Sequence, residues 1–182
     1  MGHLKLVLAV IGLFGIGSTW QHHHVDYEKH PPQVLIVGAA RDTLNAAYAA
    51  YEQPAAAVPF VEQGFCARSW ISYRTSWNTT VIRVTSVVRS ETGASPIRVF
   101  IPCTQSQSTG GGIVFHTHPP QQCVVKGNWA EWSDCVPSTD HAAACRPSGL
   151  DLADTLEHTA IPARFIVCGR DRFVFYHGTE AL

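Results

Sequence analysis

The sequence is poor in charged residues and contains no run of basic ones. Of its 182 residues, 15% are Asp, Glu, Lys or Arg, and the formal net charge is −1. Domains that bind nucleic acids concentrate Lys and Arg on one face or along one helix, because phosphate groups must be neutralised. The missing basic run therefore argues against nucleic acid as the main partner.

No apolar run is long enough to cross a bilayer. The run from Leu6 to Ile16 has eleven residues, whereas a spanning helix needs about 20. It follows Lys5, and Gly15 and Gly17 place small residues where a signal peptidase requires them. We therefore interpret residues 1–17 as a signal peptide, which leaves no stable membrane insertion after cleavage. An uncleaved N-terminal anchor or a buried strand is the alternative.

Two motifs of common zinc proteins are also missing. The chain has no Cys-x-x-Cys pair, which argues against a zinc knuckle. It has neither His-x-Glu nor Pro-Cys-x-x-Cys, which excludes a zinc deaminase of the cytidine type. A metal site in this protein would need a different set of ligands.

Cysteine itself is present in an even number, and every cysteine follows the apolar N-terminal run. This usage is typical of disulfides in an exported protein, and we expect a periplasmic or secreted location. Six cysteines allow 15 pairings, so the sequence leaves the connectivity open. The positions are Cys66, Cys103, Cys123, Cys135, Cys145 and Cys168.

Residues 111–119, Gly-Gly-Ile-Val-Phe-His-Thr-His-Pro, form the most informative stretch. Its apolar centre predicts a short buried strand, and Pro119 cannot donate to a ladder, so the strand should end at the histidines. On a strand, residues i and i+2 point to the same side. His116 and His118 are therefore placed to share one metal ion.

A third ligand is supplied by Ser-Gly-Leu-Asp at residues 148–151. Ser148 is typical of a helix N-cap, and Asp151 would then lie in the first turn of the helix. A chemically active Zn²⁺ usually has three protein ligands and one position for water. His116, His118 and Asp151 meet that requirement, although Ser148 and Asp151 also fit a simple capping arrangement.

These residues resemble the signature of the JAMM (MPN-plus) zinc metalloproteases, including the RadC-like branch and the JAMM-like domains of bacterial polymorphic toxins. That signature is an upstream Glu, then His-[Ser/Thr]-His-Pro, then Ser-x-x-Asp. The resemblance covers most of residues 40–177. It departs in one respect, because 28 residues, 120–147, separate the two halves of the motif.

The fold expected from the resemblance is α/β, with a mixed β-sheet sandwiched by helices in a layered architecture that cytidine deaminases share. The order of elements along the chain, helix, strands, metal strand, helix and strands, indicates a two- or three-layer α/β sandwich. We divide the chain into a signal peptide (1–17), a linker (18–40) and a metallohydrolase domain (41–182). Residues 34–37 are either a short strand or the lead-in to the first helix.

Several elements are predicted from periodicity and turn signals. A helix is expected over 41–53, with Leu44, Ala47, Tyr48 and Tyr51 on one face. Strands are expected over 65–73, 81–88, 97–101, 164–168 and 172–176, and a second helix from Asp151 to about residue 158.

The insertion at 120–147 carries three of the cysteines, so at least one must pair outside it or stay free. It also carries Trp129 and Trp132 in a Trp-x-x-Trp-Ser-x-Cys string that resembles the opening of a thrombospondin type 1 repeat. We interpret it as a disulfide-tied flap facing the substrate. A small self-contained knot is the alternative.

Catalysis at such a site needs a base that takes a proton from water. The upstream candidates are Glu52, Glu62 and Glu91. Glu62 stands at a strand start among apolar neighbours and, as in the JAMM pattern, just before a glycine, so we assign it the role. A surface ion pair is the alternative for Glu62. The resemblance implies Zn²⁺ as cofactor and Ser148 as the donor to the oxyanion.

The function expected from the resemblance is hydrolysis of peptide or isopeptide amide bonds in a peptide or protein substrate. A secreted bacterial toxin or effector domain is one alternative. A catalytically inactive, disulfide-stapled binding module anchored by the two tryptophans is another. The identity of the substrate and the oligomeric state lie beyond the sequence.

Overall fold

The computed structural model describes residues 32–53, 60–74, 79–103, 113–124, 135–157, 163–177 and 180–181. The helices in this part of the chain are α1 (Gly38–Ala49), α2 (His141–Ala144) and α3 (Gly149–Glu157), and a 3-10 turn over Ala50–Glu52 extends α1. The strands are β1 (Gln33–Ile36), β2 (Gly64–Arg74), β3 (Thr79–Arg89), β4 (Val114–Thr117), β5 (Gln121–Cys123), β6 (Cys135–Pro137), β7 (Arg164–Gly169), β8 (Arg172–His177) and β9 (Glu180–Ala181).

Seven strands form one mixed sheet in the order β1-β3-β2-β4-β7-β8-β9, and β5 pairs with β6 separately. The β1–β3 and β4–β7 pairs are parallel, and the other pairs of the large sheet are antiparallel. The strand β4 lies at the centre, between β2 and β7. The expected α/β class with a mixed sheet is therefore confirmed.

Helix α1 covers one face of this sheet. Ala40, Leu44 and Tyr48 recur every four residues, which places them on one side of the helix, and all three are buried. They join a core with side chains of β2, β3, β4, β7 and β8, including Phe115 and Phe165 with ring centroids 4.6 Å apart. Burying one such large side chain stabilises the fold by about 1.5–3 kcal/mol.

The opposite face carries α2 and α3. Because strand side chains alternate, Phe165 points to the α1 face while Ile166 and Cys168 point away from it. Ile166, Cys168 and Tyr176 pack against Ala144, Cys145 and Leu152 from the two short helices and the turn after α2. Helices thus lie on both faces, and α3 is held over β7 and β8.

All six cysteines are paired. The disulfides are Cys66–Cys103, Cys123–Cys135 and Cys145–Cys168. One cysteine of the insertion, Cys145, is therefore bonded to a residue outside the insertion, Cys168 of β7. Three disulfides indicate an oxidising setting, extracellular or periplasmic.

The elements differ most clearly from the sequence expectation in three places. Residues 33–36 form a strand, one of the two options left open, so the sheet begins inside the stretch assigned to the linker. Helix α1 begins at Gly38, three residues before the predicted start at Arg41. The strand predicted over 97–101 is absent from the described fold.

A compact loop replaces that predicted strand. The Ser95 N–H donates to the Arg98 carbonyl at 2.7 Å, which closes a turn, and only Thr92 and Phe100 form a β-bridge. Ile101 then lies over Gly64, where an added Cβ would come within 2.6 Å of its Cγ1. The loop therefore packs across β2 without extending the sheet.

Some predictions fall on residues that the structure does not describe. The signal peptide at 1–17, most of the linker, and Trp129 and Trp132 lie outside the described ranges. Within those ranges, no helix has the length and apolar character needed to cross a membrane.

Candidate metal centre

The two predicted histidine ligands lie at the end of strand β4. The strand ends at Thr117, between His116 and His118 and two residues before Pro119, as the sequence predicts. His116 pairs with Gly64 of β2 on one side and with Ile166 of β7 on the other. The His118 N–H continues the ladder by donating to the Val167 carbonyl at 3.0 Å. Both histidines are therefore fixed by backbone hydrogen bonds on a central strand.

Helix α3 brings the third residue. The Ser148 N–H donates to Asp151 Oδ2 at 2.6 Å, and the Asp151 N–H donates to Ser148 Oγ at 3.2 Å. This reciprocal pair is a capping arrangement, with an aspartate in the position that a glutamate usually occupies. The cap fixes the Asp151 carboxylate at the helix start, where it also meets the histidines.

Ligand atoms of three residues converge at this point. The His116 Nε2 atom lies 3.1 Å from Asp151 Oδ1 and 2.9 Å from His118 Nε2, and the His118 Nε2 atom lies 3.2 Å from Asp151 Oδ2. Ligands at tetrahedral angles and 2.0–2.1 Å from a zinc ion would be about 3.3 Å apart. Each imidazole nitrogen lies at nearly that separation from one of the two carboxylate oxygens. In the triangle formed by one ligand atom from each residue, no side exceeds 4.8 Å, so these three residues can hold a metal ion.

The orientation of His118 also suits a ligand. Its Nδ1 atom lies 2.9 Å from the Ala144 carbonyl oxygen, which can only accept a hydrogen bond, so Nδ1 carries the proton. In the neutral ring Nε2 then presents a lone pair, and this lone pair faces the Asp151 carboxylate. Two acceptors in contact need a cation or a proton between them. Metal-binding histidines are commonly held by a carbonyl in this way.

Charge and burial together favour the protonation states of His116 and Asp151 that suit metal binding. Burial lowers the pKa of His116, despite the neighbouring Asp151 carboxylate, and so favours the neutral imidazole. Burial acts to raise the pKa of Asp151, but the interactions of its carboxylate with the His116 and His118 side chains outweigh burial and hold that pKa well below its ordinary value. Neutral imidazole and ionised carboxylate are the protonation states that metal binding requires.

Glu62, the predicted base, lies in the wall of the same site. Its side chain is buried, and the burial, reinforced by the charge of Asp151, raises the pKa of Glu62 well above its ordinary value. It lines a cavity of about 320 Å³ together with His116 and Asp151. It also lines a neighbouring cavity of about 270 Å³ together with His118 and Ser148. The structure thus brings the five predicted site residues together around one place.

A buried hydrogen-bond network holds the segment that carries Glu62. The Tyr51 hydroxyl donates to the Val61 carbonyl at 2.7 Å, and the Gln63 N–H donates to Thr117 Oγ1 at 2.8 Å. The Thr117 hydroxyl in turn donates to the Tyr51 oxygen at 2.6 Å. The residues on both sides of Glu62 are therefore tied to the residue between the two histidines.

The two other candidate bases are engaged elsewhere. Glu52 accepts a hydrogen bond from the exposed Arg170 at 2.7 Å. Glu91 is paired with Arg89 and accepts from the Gly64 N–H at 2.7 Å. Both carboxylates therefore have a structural role in the described fold.

The cavity that Glu62 shares with His116 and Asp151 has apolar and charged lining residues. Ile97, Val99, Phe100, Ile101 and Leu150 contribute apolar side chains, with Phe100 half exposed, and Arg98, Asp154, Arg164 and Tyr176 contribute polar groups. Tyr176 is buried with its ring edge-on to His116, at a centroid distance of 6.0 Å. An extended chain with apolar side chains fits a wall of this composition.

Sequence reasoning did not find the groups that support the ligands. The sequence predicts Tyr51 on the buried face of the first helix and shows Thr117 only as part of the motif. The Ala144 carbonyl leaves no trace in the sequence, because every residue has one. Only the fold shows that it lies against His118.

No protein-family description matches this chain, and no curated protein sequence matches it significantly. The site must therefore be interpreted from its own geometry.

Proposed function

We propose that this protein is a zinc-dependent hydrolase of the JAMM type that cleaves peptide or isopeptide amide bonds. The observation that carries the proposal is the buried His116–His118–Asp151 triangle with the carboxyl group of Glu62 in the same cavity. A merely structural cluster would not need an acidic group of raised pKa beside it. Active sites are where such groups gather.

The donor set favours zinc over other common ions. Two imidazole nitrogens and one carboxylate oxygen suit Zn²⁺, whereas Mg²⁺ and Ca²⁺ prefer oxygen ligands throughout. Three protein ligands also leave one position for water, as in catalytic zinc sites. When bound, zinc supplies Lewis-acid chemistry and lowers the pKa of water toward neutrality.

The chain's own residues supply the remaining roles. The Glu62 carboxylate takes the proton from the attacking water and delivers it to the leaving amine nitrogen, which completes the cleavage of the C–N bond. Ser148 Oγ–H donates to the carbonyl oxygen as negative charge develops there. The apolar side chains of Ile97, Val99, Phe100 and Ile101 bind the substrate chain and keep bulk water away.

The order of the ligands along the chain supports the JAMM assignment. Glu62 precedes the His-x-His pair, and Asp151 opens the helix that follows, as in the signature that this sequence resembles. The mixed sheet, with helices on both faces, is compatible with that fold. The three disulfides fit an enzyme that acts outside the cytoplasm.

Metal analysis of the purified protein tests the site. We expect about one zinc per chain, and loss of most of it in His116→Ala and in His118→Ala. His141→Ala is the matched control, because His141 is an exposed histidine of α2 outside the triangle. Full zinc retention in both ligand variants would exclude the site.

An activity screen tests the reaction. A search for new N-termini in a mixed proteome, with the zinc-loaded protein, should reveal cleaved peptide bonds. Glu62→Gln should keep its zinc yet lose at least about 100-fold in kcat, because a general base contributes about 10²–10⁴-fold. Glu52→Gln is the control and should retain activity. Zinc binding without any amide hydrolysis would favour the inactive binding module.

A further inference from the structure

The Cys145–Cys168 disulfide has a special relation to one of the metal ligands. Cys168 directly follows Val167, whose carbonyl accepts from the His118 N–H at 3.0 Å. Cys145 directly follows Ala144, whose carbonyl lies 2.9 Å from His118 Nδ1. Both half-cystines are thus adjacent to a residue that holds His118.

These bonds close a ring around the ligand. From His118 the ring passes through Val167 to Cys168, across the sulfur–sulfur bond to Cys145, and through Ala144 back to the imidazole. Within the described part of the chain, the disulfide is the covalent link of this ring between β7 and the turn after α2. Within the described residues, α2 is four residues long with an exposed outer side, too short to hold its own position.

We propose that the Cys145–Cys168 disulfide positions His118 for metal binding, so that the metal site reaches full affinity only after this bond has formed. The proposal rests on the metal site of the proposed function, but not on any catalytic activity. Cys145 and Cys168 act as positioning residues through Ala144. With the disulfide open, the Ala144 carbonyl moves away, and the His118 ring loses its fixed tautomer and orientation.

A consequence is that metal binding is coupled to the oxidation of Cys145 and Cys168. In a reducing compartment the two cysteines remain thiols and His118 is held only by its backbone. In an oxidising compartment the disulfide forms, with two thiol protons and two electrons passing to the disulfide-forming oxidant of that compartment. The protein then gains a high-affinity site where it is meant to act.

The other two disulfides provide matched controls. Cys66–Cys103 closes a loop with a sequence separation of 37, longer than the 23 of Cys145–Cys168, and Cys123–Cys135 closes one of 12. In the chain-entropy account, loss of the longest loop destabilises the protein most. If metal affinity only followed global stability, removal of Cys66–Cys103 would weaken it most.

The experiment compares zinc dissociation constants of the oxidised wild type and three double variants by competition with a chromophoric chelator. We expect Cys145→Ala/Cys168→Ala to bind zinc about 10–100-fold more weakly, the usual effect of losing a group that orients a ligand. Cys66→Ala/Cys103→Ala and Cys123→Ala/Cys135→Ala should remain within about 3-fold of the wild type, below that range. Equal affinities in all four proteins, or the largest loss in Cys66→Ala/Cys103→Ala, would overturn the proposal.

Two further outcomes are distinguished. A wild-type chain that binds no zinc contradicts both the proposed function and this inference, whereas zinc binding without hydrolysis leaves the inference intact. If Cys145→Ala/Cys168→Ala does not fold, long-range ¹H–¹⁵N NMR of the zinc-loaded wild type decides. A slowly exchanging proton on His118 Nδ1 with metal-bound Nε2 supports the proposal, and the opposite tautomer or rapid exchange refutes it.

Discussion

At the scale of single residues, Thr117 links the segment that carries Glu62 to the strand that carries the histidines. Its side chain is completely buried, and its hydroxyl accepts from the Gln63 N–H and donates to Tyr51. The sequence shows Thr117 only as the residue between two histidines. Because residues i and i+1 of a strand point to opposite faces, Thr117 must face the α1 side of the sheet while the histidines face the candidate metal site.

Replacement of Thr117 by valine removes this hydroxyl without changing the shape of the side chain. Thr117→Val should lower the free energy of unfolding by about 1–3 kcal/mol, because the buried Gln63 N–H loses its acceptor. Thr117→Ser keeps the oxygen and loses one methyl group, which costs about 0.8 kcal/mol. Chemical denaturation of both variants measures the difference, and a serine variant less stable than the valine variant would contradict this account.

The site residues themselves were largely predictable from the sequence. His116 and His118 follow from strand alternation before Pro119, and Asp151 follows from a helix start at Ser148. Each inference uses only neighbours along the chain. The Ala144 carbonyl is 26 residues from His118 and is chemically identical to every other carbonyl. Local pattern carries no information about such a partner.

At the scale of elements, the turn between β7 and β8 is anchored to α1. Asp171 lies in this turn with a positive φ of 56°. Its carboxylate accepts from Arg41 Nε at 2.5 Å and from Asn45 Nδ2 at 2.6 Å, and its N–H donates to Asn45 Oδ1 at 2.9 Å. The start of the first helix is thereby tied to a hairpin more than a hundred residues away.

This anchor predicts a dependence of stability on pH. Hydrogen bonds from Arg41 and then Asn45 lower the pKa of Asp171 to about 2. Because the folded-state pKa is depressed, the stabilisation is complete above the unfolded value of about 3.9 and is lost as the pH falls toward 2. Asp171→Asn tolerates the same backbone conformation but has no charge to titrate.

Unfolding experiments between pH 6 and pH 2 check this dependence. The wild type should exceed Asp171→Asn in stability by a constant amount at pH 5 and above. That difference should shrink between about pH 4 and pH 2, where the Asp171 carboxylate of the wild type becomes protonated. A difference that is independent of pH would show that the ion pair contributes nothing.

Helices and strands were predicted correctly where local sequence pattern determines them, and incorrectly where tertiary packing determines the conformation. The apolar spacing of Leu44 and Tyr48 identified α1 and its buried face. The β-branched and aromatic residues at 97–101 equally favoured a strand, yet the Ser95–Arg98 turn and the contact of Ile101 with Gly64 produce a loop. A strand needs a neighbour with free hydrogen-bonding groups, and the sequence does not show where the neighbours lie.

At the scale of the whole molecule, the candidate metal centre joins distant parts of the chain. The ligands lie on the central strand β4 and on α3, which packs on the opposite side of the sheet from α1. The unfolded chain does not hold these ligands together. A metal ion held at this site would therefore bind the folded state far more tightly than the unfolded state, and it would stabilise the fold.

Removal of the metal should consequently destabilise the protein. With free zinc at about 100 times its dissociation constant, the free energy of unfolding should rise by about 2.7 kcal/mol over the chelator-treated protein. Thermal unfolding with and without zinc measures this gain. His118→Ala should show little or no gain, and a similar gain in this variant would locate the stabilising metal elsewhere.

The three disulfides join each cysteine to the next cysteine along the chain, first with second, third with fourth and fifth with sixth. The sequence left 15 arrangements open, and the fold uses the one in which every cysteine pairs with its neighbour in sequence. A chain that enters an oxidising compartment N-terminus first exposes its cysteines in this order. An oxidant that joins each pair of cysteines as the second member arrives would yield the native set without an isomerase to correct mispaired thiols.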